Sequence, residues 1–471
     1  MHTETNILLK DTELMDTHCR TYFADVRLKG NQIVEVGEIE PNYDEIVINA
    51  RRSLLIPGLN DHHTHLLSYA ASLDSVVCGP PSVSNQEQLI DALMSRPGNN
   101  WLRGVGFHES VTPKIDRAWL DAHGPNRPVR IQHRSGRLWI LNSQGLDRIA
   151  RQADSLSRQE RLSLSNSDGR LYDVDKLVSK LTRAEPPPIK RASKVLASYG
   201  VTGLNDMTPS NDDKVLAWFK SLRDEGTIMQ KVMLSGQLSL TMNDFDQSLM
   251  LGATKVHLHD NDLPVFDDFV ELIRESEKQS RCIAVHCVTE LALVFTLAAL
   301  EAAEVGSGHR IEHASVIPPH LIGQLQTLQL CVVTQPNFVA EKGDNYRQEI
   351  PATEHPYLYR CKSLISAGIP LAFGTDLPFG KPDPWHAMQA AVDRRTPSGE
   401  TFNQTERLTP EQALKGFIGN LESPFEPTVI RPGITADLCL LDVPWKKLRD
   451  DLDAKHVRMT IAGGKTIYSR D

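Results

Sequence analysis

Cysteine is scarce in this chain of 471 residues and never paired in sequence. There are seven, at Cys19, Cys78, Cys282, Cys287, Cys331, Cys361 and Cys439, with no CxxC spacing. A scattered, odd-numbered set excludes a disulfide framework and a thiolate zinc finger, and reads as buried thiols in a reducing compartment. No apolar run is long enough to span a membrane. Residues 1–7 lack a basic start followed by an apolar stretch, so no signal peptide is read there. The expected location is the cytoplasm. Positive charge is not in excess: the net charge is −9 and the pI is near 6.0. That balance, without a lysine or arginine stripe, excludes non-specific nucleic-acid binding. Low-complexity segments and short-period repeats are absent too. What remains is an ordinary soluble composition, 40% apolar and 24% charged, long enough for more than one domain.

The stretch Pro57-Gly58-Leu59-Asn60-Asp61-His62-His63-Thr64-His65 is the most informative feature. It follows an apolar run at residues 54–56, read as a buried strand that ends at the histidines. On a strand, residues two apart share a face, so His63 and His65 can grip one metal ion from one side. Imidazole suits zinc, iron, copper and nickel alike. His62 points to the opposite face and reads as structural. Other metal-binding or catalytic residue types end further short β-type runs: His286 after residues 283–285, His313 after 310–312, and Asp376 after 371–375. Lys255 lies within the run 253–258, where a buried ammonium is costly unless neutralised or paired. Helix-like segments separate these runs, at residues 265–277, 289–303, 321–328 and 357–367. Alternating strands and helices with chemistry at the strand ends predict an α/β fold of the TIM-like (β/α)8 barrel type, in which sites lie at the C-terminal ends of the strands.

Both chain ends have a different character. Residues 7–10, 24–28 and 32–36 alternate apolar and polar, with Gly30-Asn31 as a tight turn, and residues 436–442, 457–462 and 463–468 repeat the pattern. The expected organisation is a small discontinuous β-sandwich from residues 1–56 and 424–471, around a barrel at 57–423 with inserted βα loops. Between His65 and Lys255 the chain holds more residues than two or three βα units need. Two β-like runs lie there, at 129–133 and 201–206, and strands two and three are left unassigned.

The ordered set of Asp61, His63, His65, Lys255, His286, His313 and Asp376 resembles the metal-dependent amidohydrolase superfamily. The segments 284–286, 309–314, 333–336, 368–376 and 407–414 resemble its N-substituted formamide deformylase-like branch, over nearly the whole chain. Residues 101–109 and 135–143 depart from that branch in regions that would face substrate. The resemblance implies His63, His65, His286 and His313 as metal ligands, and Asp376 as ligand and general base. It implies Lys255 as a lysine carboxylated by carbon dioxide into a carbamate that bridges two divalent ions, with zinc the expected metal.

Four residues are candidates for substrate contact: His257, Arg137, His108 and Glu290. His257 and His259 share the Lys255 face and could bind substrate or metal, or be satisfied barrel histidines. Arg137 clusters with Arg130, His133 and Arg134, as an anion clamp or as a salt-bridge cluster. Glu290 fits the first turn of a helix, where the dipole favours an acid. Glu312 could support a metal ligand from behind. The reading is a metal-dependent hydrolase cleaving an amide-like C–N bond of a small molecule with a metal-activated hydroxide, Asp376 shuttling the proton. The rivals are a one-metal deaminase or cyclic-amide hydrolase, and an inactive barrel acting as a binding protein. The expected partners are a small-molecule substrate and a second copy of the chain in a homodimer, with no nucleic acid or membrane.

Overall fold

Gly58 separates two strands that the sequence runs together. The structure, a computed structural model, describes residues 6–80, 82–151, 167–172, 187–242 and 248–470. Leu55–Pro57 pairs antiparallel with Leu438–Leu441, whereas Leu59–Thr64 begins the barrel. A Cβ at residue 58 would lie 2.1 Å from Thr202 Oγ1, so only glycine lets the chain pass this close to the next barrel strand. The two histidines therefore do not end the 54–56 run. His63 lies in the following strand and His65 just beyond it.

Eight parallel strands form one sheet in chain order: Leu59–Thr64, Val201–Asp206, Lys231–Gly236, Leu249–His257, Ile283–Cys287, Arg310–His313, Cys331–Thr334 and Leu371–Phe373. The strands are rich in Val, Ile, Leu and Ala and buried along most of their length, as strands covered on both faces must be. The run at 201–206 is thus the second barrel strand, and Lys255 lies on the fourth. The sheet nearly closes on itself. At its seam Asp376 N–H donates to the His63 carbonyl at 2.8 Å and His65 N–H to the Leu377 carbonyl at 3.0 Å. Asp61 reinforces the seam, accepting from the Thr375 N–H at 2.9 Å and from its hydroxyl at 2.5 Å.

Helices Phe266–Lys278, Glu290–Ala303 and Pro319–Thr327 follow strands four, five and six, close to the expected positions. Their apolar faces pack with Ile283, Val285, Ile311 and Val332 in one core. The segment 357–367 is not a single helix. A 3-10 turn at His355–Tyr357 and a helix at Cys361–Ser366 flank Tyr359, whose backbone is left-handed at φ 50°. Arg394, fully buried, holds that break open by donating to the carbonyls of Leu358 and Tyr359 at 3.1 and 2.9 Å. The helix Asn337–Glu349 after strand seven has no counterpart in the sequence reading.

The chain ends supply two four-stranded sheets. One comprises Asn6–Met15, Thr21–Lys29, Gln32–Gly37 and Ile46–Asn49; the other Leu55–Pro57, Leu438–Leu441, Val457–Ala462 and Lys465–Ser469. Ile7, Leu9, Val26 and Leu28 from the first share a core with Leu438, Leu440 and Ile461 from the second. Residues 67–189, inserted in sequence between the first two barrel strands, form a separate unit. Its own five-stranded sheet includes Val129–His133, and its core includes Leu102, Ile131 and Ile140. Among the described residues, no helix is long and apolar enough to cross a membrane.

The seam makes a direct prediction. A Cβ on Gly374 would lie 2.4 Å from His63 Cβ and 2.6 Å from His63 N. Overpacking of this kind costs about 1–3 kcal/mol. Gly374→Ala should lower the midpoint of urea unfolding by a corresponding amount; an unchanged midpoint would mean that the first and eighth strands are not held this close.

Candidate metal centre

Three histidines at the C-terminal ends of the barrel strands are each anchored through one ring nitrogen. His63 Nδ1 is 2.6 Å from Glu312 Oε2. An ionised carboxylate only accepts, so Nδ1 carries the proton and the Nε2 lone pair is free. His313 Nδ1 is 2.7 Å from Gln335 Oε1, which fixes the same tautomer. His65 Nδ1 is 2.9 Å from Thr208 Oγ1. The Asp376 carboxylate faces all three: Oδ1 is 3.3 Å from His65 Nε2 and 3.7 Å from His63 Nε2, and Oδ2 is 4.0 Å from His313 Nδ1. One ligand atom each from His63, His65 and Asp376 lies within 4.8 Å of the others.

His286 and Lys255 complete the constellation. The His286 ring is 4.4 Å from that of His313 and stacks on His257 at 3.9 Å. His257 pairs in register with His286, is exposed at the open end of strand four, and stacks on His259 at 4.5 Å. Lys255 is buried two residues deeper on the same strand. His62 is buried with its carbonyl accepting from Arg310 Nη2 at 3.1 Å.

The electrostatics favour neutral imidazoles and ionised carboxylates, and weaken the hold of Lys255 on its proton. Burial lowers His63 to about 3, helped by Lys255. Burial also lowers His257 to about 3 and holds His286 and His313 below their usual value. Burial alone would raise the Asp376 carboxyl, but His65, His63 and His313 outweigh it and hold it below the usual carboxylate range. Burial lowers Lys255 to about 8, against the pull of Glu312 and Asp376. Glu312 is held low in spite of its burial by Arg310, whose Nε donates to Oε1 at 2.8 Å, and by His63.

Asp376 Oδ1 and Lys255 Nζ are among the buried polar atoms without a hydrogen-bond partner in the described residues, as are Gln335 Nε2 and His62 Nε2. A buried carboxylate oxygen facing the free Nε2 of His63 and the ring nitrogen of His65 is a donor set suited to a divalent cation. An amine left alone beside such a cation would be repelled, whereas its carboxylated form would be attracted. The donor set therefore fits the metal that the sequence implies.

Of the residues expected to contact substrate, His257 adjoins the histidine cluster within its own unit. Glu290 opens its helix behind the Thr289 cap, with its side chain 47% exposed and 3.9 Å from His320. His108 and Arg137 belong to the 67–189 unit. There His108 Nδ1 is 2.8 Å from Ser110 Oγ, and Arg137 N–H donates to Ser135 Oγ at 3.4 Å. His133 in the same unit bonds Glu109 at 3.0 Å, and Arg130 is buried against the indoles of Trp139 and Trp101 at 5.4 and 5.7 Å. Thr208 and Gln335 were not singled out in the sequence. Gln335 lies in a recognisable segment, but nothing marks it as the anchor of His313; Thr208 sits in a loop with no signal at all.

Outer partners of metal-binding histidines typically contribute about 10–100-fold to metal affinity. Glu312→Gln should weaken zinc binding by about that factor in competition with a chelator. Glu312→Ala, which strands the buried Arg310 charge, should also lose about 3–5 kcal/mol of stability in urea unfolding. Unchanged zinc affinity in folded Glu312→Gln protein would rule out the anchoring role.

Comparison with known proteins identifies the family and the fold. The amidohydrolase family model matches residues 46–468. A Bacillus subtilis (strain 168) protein named as an amidohydrolase, YtcJ, is 22% identical, with 91% of this chain and 91% of that protein covered. An N-substituted formamide deformylase of Arthrobacter pascens is 22% identical, covering 88% of this chain and 89% of that protein. In fold, a metal-dependent hydrolase from Pyrococcus horikoshii superposes with a TM-score of 0.76 at 19% identity, over 93% of this chain and 97% of that one. With its matching model spanning the barrel and much of the terminal sheets, the chain is an enzyme of the amidohydrolase family.

Proposed function

We propose that this enzyme hydrolyses the C–N bond of a small amide at the C-terminal end of its barrel. The observation that carries the reading is the convergence of His63, His65 and Asp376, with Asp376 Oδ1 and Lys255 Nζ buried and unpartnered among the described residues. His63, His65 and Asp376 would hold one zinc ion, and His286 and His313 a second. Lys255 would join the two as a carbamate. Its amine nitrogen would add to carbon dioxide and lose a proton to solvent, which turns a cation into an anion with two oxygens. When bound, the metal supplies Lewis acidity towards a carbonyl oxygen and lowers the pKa of water.

The remaining chemistry belongs to the chain. Asp376, ionised before turnover, accepts a proton from the attacking water as its oxygen bonds to the carbonyl carbon. It then delivers that proton to the nitrogen as the C–N bond breaks, leaving a carboxylic acid and an amine. Glu312, Gln335 and Thr208 hold the imidazoles in place, so little reorganisation is needed at the moment of reaction. His257, at the open end beside His286, is the proposed contact for a polar group of the substrate. The formamide deformylase among the relatives supports an amide as the substrate class.

A one-metal version has its own support, because only His63, His65 and Asp376 bring three ligand atoms within 4.8 Å among the described residues. Metal analysis of the purified protein separates the two. Close to two zinc ions per chain, with a carbamate signal in carbon-13 NMR after labelling with carbon dioxide that is lost in Lys255→Ala, supports the two-metal form. One ion and no carbamate supports the other. No bound ion, with none taken up on addition, removes the proposal.

Asp376→Asn preserves size but cannot accept a proton at neutral pH. In a screen of amide substrates, kcat should fall by at least about a hundredfold while substrate still binds. The same sample must retain its metal. Near-normal kcat in a fully metallated variant would place the proton shuttle elsewhere.

A further inference from the structure

Phe379 is a large apolar side chain left in the open beside the candidate metal centre. It is 52% exposed, and its ring stands 5.6 Å from that of His65 at 88°. The other exposed aromatic side chains among the described residues, such as Phe23, Tyr43 and Phe266, have no ring contact with a candidate ligand.

The position of Phe379 is built in rather than incidental. It lies three residues after Asp376, and its N–H donates to the Asp376 carbonyl at 2.7 Å, followed by Gly380 N–H at 3.1 Å. The helix after strand seven clamps this turn. Asn337 Nδ2 donates to the Thr375 carbonyl at 3.2 Å and to Glu341 Oε1 at 3.1 Å, and Glu341 accepts the Lys381 N–H at 3.1 Å. A Cβ at Gly380 would lie 2.3 Å from both Asn337 Nδ2 and the Thr375 carbonyl oxygen. The turn is therefore as tight as glycine permits, and it carries the carboxylate and the phenyl ring together.

An exposed aromatic ring next to a few convergent polar groups is the usual composition of a small-molecule pocket. We infer that Phe379 is an apolar wall for the leaving-amine side of the substrate, and that the preferred substrates carry an aryl group on the scissile nitrogen. The inference rests on the proposed role of Asp376, which hands its proton to that nitrogen: a ring on the same turn flanks the same side of the bond. Aryl groups meet such a ring edge-to-face or offset, as His65 already does from within.

The test uses small hydroxamates, which chelate metal whatever the natural substrate. The protein is first loaded with zinc and its metal content measured. Binding of N-phenylacetohydroxamic acid and N-methylacetohydroxamic acid is then followed by calorimetry on the wild type, Phe379→Ala and Phe379→Trp. The wild type should prefer the phenyl compound by about tenfold, a difference in line with one aromatic contact. Phe379→Ala should lose most of that preference, its affinity falling more for the phenyl than for the methyl compound, and Phe379→Trp should keep it. No phenyl preference in the wild type, or an undiminished preference in folded, zinc-loaded Phe379→Ala, would overturn the inference and leave the metal centre standing. Failure of the protein to take up zinc would overturn the metal centre and this inference with it.

Discussion

The seam between the first and eighth barrel strands is the constraint on which the rest of the structure depends. Backbone bonds from Asp376 N–H to the His63 carbonyl and from His65 N–H to the Leu377 carbonyl bring two distant parts of the chain together. The buried Asp61 carboxylate, which burial pushes up to about 7, grips Thr375 from the same side. Gly374 leaves no space for a side chain against His63. The bonds that nearly close the barrel are thus the bonds that set Asp376 against two imidazoles. The same few residues serve barrel closure and the geometry of the candidate metal centre.

Behind the seam the barrel interior is charged, which an apolar core would not need. Arg310 reaches Glu312, Glu312 reaches His63, and Lys255 lies within the field of both. Buried ion pairs seldom add net stability, because desolvation offsets their attraction. Their retention makes sense if they orient the histidines, since a ring held by a carboxylate has one tautomer and one direction. Under the proposed metal site, that order leaves the facing ring nitrogens free before any ion arrives.

Much of this was legible in the sequence, and for a physical reason. Strand ends in a parallel barrel collect at one rim, so His286, His313 and Asp376 draw notice from their places after β-type runs, and the resemblance to the amidohydrolase superfamily implies them with His63 and His65 as one ligand set. Lys255 stood out because an amine inside a strand is costly. What was hidden depends on contacts distant in sequence. The 54–56 run reads as the strand of the histidines until Gly58 and the pairing with Leu438–Leu441 divide it. The run at 129–133 reads like any barrel strand, yet pairs within the separate unit of residues 67–189. Tyr359 breaks an otherwise helical pattern because Arg394, far along the chain, holds the neighbouring carbonyls. Thr208 and Gln335 are ordinary polar residues until folding sets them against imidazoles.

The central claim is that one rim of the barrel binds metal through nitrogen and oxygen donors, without sulfur. X-ray absorption at the zinc edge of stoichiometrically loaded protein tests it most directly. The account predicts a first shell of nitrogen and oxygen only, with the outer scattering characteristic of several imidazoles, and a smaller zinc content with a changed imidazole contribution when His63 and His65 are both replaced by alanine. Sulfur in the first shell, which would point to Cys282 or Cys287 beside His286, or a spectrum unchanged in the double variant, would contradict it.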